Sequence, residues 1–99
     1  MPSITDQTIY HWLRELGVAR SQYHVSELCG RSAGWFSSTR CQGRDMPGSA
    51  LLALVWHMEK QAAQETDDLA RERLRVIISH LREECTHRAV HRRRNKTPH

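Results

Sequence analysis

No run of apolar residues in this chain is long enough to cross a bilayer: the longest, Ala50 to Trp56, covers seven residues, and a spanning helix needs about 20. The start lacks a basic segment followed by an apolar one, so a cytoplasmic protein with no membrane partner is expected. Its three cysteines, Cys29, Cys41 and Cys85, form neither an even set nor a CxxC pair. That excludes a disulfide framework and predicts free thiols. There is no glycine-rich phosphate loop and no paired-carboxylate signature, and no base is tied by spacing to Cys29 or Cys41. The chain is therefore not expected to be an enzyme. Internal repeats are absent, and bias is confined to the C-terminal dozen residues.

What remains is a chain of 99 residues, 38% hydrophobic and 26% charged, which suits one globular domain with a modest core. The formal net charge is +4, and its placement matters more than its sum. Residues 1–68 carry six Arg/Lys against eight Asp/Glu, whereas residues 69–99 carry nine against three. Within the acidic part, Leu28–Arg44 holds Arg31, Arg40 and Arg44 with no carboxylate. It is a local basic island.

The periodicity is helical throughout. Thr5 or Asp6 can cap a first helix with Ile9, Trp12, Leu13 and Leu16 on one face, ended by Gly17. Ser21 caps a second, with Val25, Leu28 and Cys29 inward, which closes at Gly30 after two turns. Ser32 can cap a third through Cys41 with Phe36 inward, and the breaker-rich stretch Gln42–Gly48 follows as a loop. Ser49 can cap a fourth helix, apolar nearly all round at its start from Ala50 to Met58. Thr66, Asp67 and Asp68 open a fifth, whose stripe runs through Ala70, Leu74, Ile77, Ile78, Leu81 and Cys85. Trp12, Phe36 and Trp56 read as core residues, and Trp35 is left open between core and surface.

The order of short helix, glycine turn, short helix, proline-bearing loop and apolar helix resembles the phage-repressor or Cro-type (XRE) helix-turn-helix family. The likeness covers roughly Ile9 to Met58. It rests on Ser21-Gln22, on Val25-Ser26-Glu27-Leu28-Cys29-Gly30-Arg31-Ser32, and on Gly43, Pro47-Gly48-Ser49 and Ala50-Leu51-Leu52. Among relatives the chain looks most like small repressors of plasmids and mobile elements. The resemblance implies an all-α, lambda-repressor-like bundle of four to five helices, with an extra C-terminal amphipathic helix. Its reading head would be residues 21–42, working on double-stranded DNA near the nucleoid. Gln22 would brace the reader against the DNA backbone. Ala33, Gly34, Ser37, Ser38 and Trp35 would face bases, behind the cap at Ser32. Arg31 and Arg44 sit at the ends of the third helix and suit phosphates, and Arg40 suits either phosphate or base.

The fifth helix cannot hide Leu74, Ile77, Ile78, Leu81 and Cys85 alone, so it either folds back or pairs with its twin. The twin is the preferred expectation. It divides the chain into a DNA-binding domain (1–64), a dimerisation helix (65–87) and a flexible basic tail (88–99) that would add salt-sensitive phosphate contacts. The function then expected is repression by a homodimer on a palindromic operator, with half-sites ~34 Å apart. Other regulators are conceivable partners. The alternative is an interaction module, such as an antitoxin whose C-terminal stripe binds a toxin; a third reading is a nucleoid accessory protein binding DNA with little sequence preference. Cys85, His87 and His91 could share consecutive turns, but no C-x2-4-C knuckle accompanies them, and neither metal nor cofactor is expected.

Overall fold

The computed structural model describes residues 4–95, with side chains as far as Arg88. All the regular structure among them is helical: α1 (Asp6–Glu15), α2 (Gln22–Leu28), α3 (Trp35–Cys41), α4 (Gly48–Gln64) and α5 (Asp68–Asn95). No helix is long and apolar enough to cross a membrane.

Local chemistry explains most of the boundaries. The Thr5 hydroxyl accepts the Thr8 N–H at 3.2 Å, and the Ser21 hydroxyl accepts that of His24 at 3.2 Å, each supplying one of the bonds a helix start lacks. Gly30 takes a φ of +72° in the turn after α2, a conformation that costs side-chain-bearing residues ~1–2 kcal/mol. The Asp67 carboxylate accepts the Ala70 N–H at 2.9 Å and opens α5.

Two starts differ from expectation. The third helix begins at Trp35, with Gly34 rather than Ser32 at its cap. The fourth begins at Gly48, one residue before Ser49, because Pro47 is extended and its carbonyl already receives the N–H groups of Ala50 and Leu51 at 3.0 and 3.2 Å.

The core runs through every helix: Ile9 and Leu13 from α1, Val25 from α2, Phe36 from α3, Leu51, Leu54, Val55 and Met58 from α4, and Leu74, Ile78 and Leu81 from α5. This corrects the assignment of the α5 stripe to a second subunit. Leu81 is wholly inaccessible and Leu74 and Ile78 nearly so, with Ile77 and Cys85 packed at the edge of the same cluster. One chain covers the stripe. Residues 65–87 are therefore part of the domain, not an appendage to it.

Two tryptophans also depart from expectation. Trp56 is 55% exposed, since the inward face of α4 is already taken by Leu51, Leu54, Val55, Met58 and Ala62; its ring lies 4.5 Å from the Lys60 ammonium. Trp12 is half-buried outside the core cluster, its ring 5.7 Å from that of His80 on α5.

Candidate nucleic-acid interface

The pairing of α2 with α3 is set by polar contacts as well as by apolar ones. Gly34 provides no side-chain cap for α3. Instead the Ser26 hydroxyl, fully buried on α2, accepts the Phe36 N–H at 2.9 Å and donates to the Gln22 carbonyl at 3.3 Å. One hydroxyl thus caps α3 from the neighbouring helix. The Ser37 hydroxyl donates to Gln22 Oε1, so Gln22 braces the second helix of the pair. These bonds fix the angle at which α3 leaves the turn.

The outer surface of α3 is small and flat. Ala33, Gly34, Ser38 and Cys41 are exposed, whereas Ser37 is half-buried and engaged with Gln22. Ser32 lies exposed just before the helix. Trp35 is half-buried against the core, with the Arg31 guanidinium 5.1 Å from its ring centre, an arrangement that steadies Arg31 at the turn. Arg40 crosses Phe36 at 5.8 Å and donates to the Gln7 side chain of α1. Arg44 stands exposed beyond the end of α3. Of the ten residues expected on this face, the row Ala33, Gly34 and Ser38 is open to a ligand, Gln22 and Ser37 hold the frame, and the arginines flank it. Cys41 belongs to the exposed row although the sequence pattern did not single it out.

Cys29, at the base of this turn, is a half-buried thiol held in its neutral form. Burial pushes its thiol pKa up to about 11 although the nearby Arg31 charge pulls the other way, and its Sγ points at the Ala50 carbonyl, 3.7 Å away. Cys85 similarly donates to the Gly48 carbonyl at 3.3 Å. All three cysteines are free thiols, and among the described residues no group of three His, Cys, Asp or Glu is placed to hold a metal. The side chain of His91 lies outside the described residues.

The residue that sequence reasoning misplaced is Arg88. Assigned to a flexible tail, it is instead 11% exposed, with its Nε 2.7 Å from Glu84 Oε2 and an Nη2 2.8 Å from Asp6 Oδ1. The Asp6 contact is an ion pair rather than an aligned hydrogen bond. The same guanidinium donates to the carbonyls of Met46 at 2.6 Å and Ile4 at 3.0 Å. Asp6 Oδ2 accepts the Met46 N–H at 2.7 Å, and Glu84 Oε1 accepts that of Ile4 at 3.2 Å. Burial opposes the guanidinium charge, but the hydrogen bond to Glu84 and the charge of Asp6 outweigh it and leave its pKa above the ordinary value. The only sequence signal was the Glu84–Arg88 spacing of one helical turn; Asp6, 82 positions away, gave none. Residues 96–99 of the expected tail lie outside the described residues.

The model of one protein family, a family of unknown function, matches residues 7–98. No curated protein and no solved structure matches the chain.

Proposed function

The chain belongs to DUF6626, a family of unknown function, and we propose that it is a sequence-specific DNA-binding repressor that reads the major groove with α3. The observation that carries this reading is the braced α2–α3 pair. Its exposed row of Ala33, Gly34 and Ser38 is flanked by Arg31, Arg40 and Arg44, and no carboxylate lies between Leu28 and Arg44. A groove ~12 Å wide admits one helix, and small side chains let it approach the base edges. Guanidiniums at either end suit phosphates, and the carboxylates nearest in sequence, Glu27 and Asp45, lie just outside the stretch.

A homodimer on an inverted repeat would place two such helices ~34 Å apart. Contact between the copies would use a surface other than Leu74, Ile78 and Leu81, which are consumed within the chain. Their burial also leaves no α5 stripe for a toxin, which disfavours the antitoxin alternative. Repression then follows from occupancy of a promoter.

The test is selection of bound sequences from random duplex DNA at near-physiological salt, where charge attraction alone is weak. A two-fold symmetric motif is expected. The double variant Ala33→Glu/Ser38→Glu should lose enrichment while keeping its thermal midpoint, since both positions are exposed. A variant that still selects the same motif would remove α3 from the reading role.

A further inference from the structure

We infer that the outward face of α5, at Leu69, Glu72, Arg73 and Val76, binds the same face of a second copy of this chain, with the two helices antiparallel across a two-fold axis. The inference rests on the repressor reading above, which needs two copies and leaves their contact open. It places that contact on the side of α5 turned away from Leu74, Ile78 and Leu81.

At ~100° per residue, the four positions fall within an arc of ~100° on the helix. All four are exposed. Leu69 is 68% exposed and Val76 47%, and they stand two turns apart along one line of α5. Apolar ground continues from them onto α1, where Trp12 and Leu16 are half-buried beside Val76 and Ile77. Contiguous apolar surface of this kind marks a site of association.

The charges select the occupant. Glu72 and Arg73 lie in the middle of the face, and among the described residues no ion pair or side-chain hydrogen bond within the chain engages either. When a helix meets its own copy antiparallel, facing positions have a constant sum. The register that sets Leu69 against Val76 of the second copy therefore also sets Glu72 against Arg73 of the second copy, and the two-fold axis repeats both contacts. A parallel pairing in register would oppose like charges instead. The order apolar, acid, base, apolar is complementary to its own reverse, a property that a second copy always supplies.

The shape of the surface agrees with this register. A hollow of about 360 Å³ between α1 and α5 opens beside Val76, and a smaller one of about 160 Å³ opens beside Leu69. Leu69 of the second copy, facing Val76, meets the larger hollow; its Val76 meets the smaller. The contact covers only two turns of α5 and the edge of α1, at the small end of the range for specific interfaces. Association in solution is therefore expected to be weak, and two half-sites on one duplex would strengthen it by holding the copies close.

The experiment is sedimentation velocity of the full chain without DNA, across a hundredfold range of concentration. The wild-type chain should show a monomer–dimer equilibrium. Glu72→Arg and Arg73→Glu each place like charges across the axis twice, and each should raise the dissociation constant by about tenfold. An equimolar mixture of the two variants should dimerise again, because each then faces its opposite, and so should the double variant Glu72→Arg/Arg73→Glu. Leu52→Glu, on the exposed side of α4, should leave the equilibrium unchanged. Unchanged thermal midpoints show that the variants fold. A wild-type chain that stays monomeric throughout overturns the inference and leaves the face to a different partner. Single variants that dimerise like wild type, a mixture no stronger than either variant alone, or dissociation by Leu52→Glu overturn it as well. If the charge pattern behaves as expected but no DNA motif is enriched, the repressor reading fails and the interface stands. If a two-fold motif is enriched while the charge variants associate unchanged, the reading stands and this interface is removed.

Discussion

Ser26 and Cys29 show how single side chains near the reading head serve it without facing it. The Ser26 hydroxyl is the only side-chain cap described for α3, and it comes from α2. Ser26→Ala would leave the buried Phe36 N–H without a partner, which costs about 1–3 kcal/mol. A lowered urea midpoint with an unchanged m-value is the expected result. Cys29 supports a chemical prediction. Its folded pKa, about 11, lies above that of a free thiol, so the buried neutral form favours folding below the unfolded value, and this contribution is lost as pH rises toward 11. With iodoacetamide at pH 8, exposed Cys41 should alkylate well before Cys29, as mass spectrometry of a peptide digest would show; equal rates would mean that the turn opens readily. Neither role was visible in spacing alone. Ser26 resembled any serine inside a short helix, and Cys29 gave its inward direction but not its contact with the Ala50 carbonyl.

Among the elements, α5 separates most clearly what periodicity reveals from what it leaves open. The stripe Leu74, Ile78 and Leu81 was legible at helical spacing, and all three are buried. The partner was not legible, because an apolar face has the same pattern whether it meets its own chain or a second copy. Leu81→Ala should therefore lower stability by about 2–5 kcal/mol through the cavity it leaves. The loss should not depend on protein concentration, as it would for a side chain buried between subunits. Thermal midpoints measured across a hundredfold range of concentration decide this. The short helices were legible in their caps, Thr5 and Ser21, and misread where the cap lay elsewhere: Ser32 and Ser49 have suitable side chains, but Ser26 and Pro47 already define those starts.

At the scale of the whole molecule, α1, the loop before α4 and the end of α5 converge on Arg88, with Asp6 and Glu84 buried beside it. Residues 1–64 are consequently not expected to fold alone. A chain ended after Glu65 would expose the face of α4 that α5 now covers, and would lose the cation that neutralises Asp6. Circular dichroism of that truncation should show a large loss of helicity and no cooperative melt, whereas a sharp transition near the full-length midpoint would mean that α5 is dispensable. The helical class, the Gly30 turn, the buried residues Ile9, Leu13, Val25, Phe36, Leu51, Leu54, Val55 and Met58 and the carboxylate-free basic stretch all followed from sequence, because each depends on residues within a few turns of one another. Tertiary structure alone decided that α5 closes the domain, that Trp56 faces out, and that Arg88 is a structural ion rather than part of a loose tail. Those outcomes depend on which surfaces compete for the same core and on charges brought together from opposite ends of the chain, and neither leaves a periodic trace.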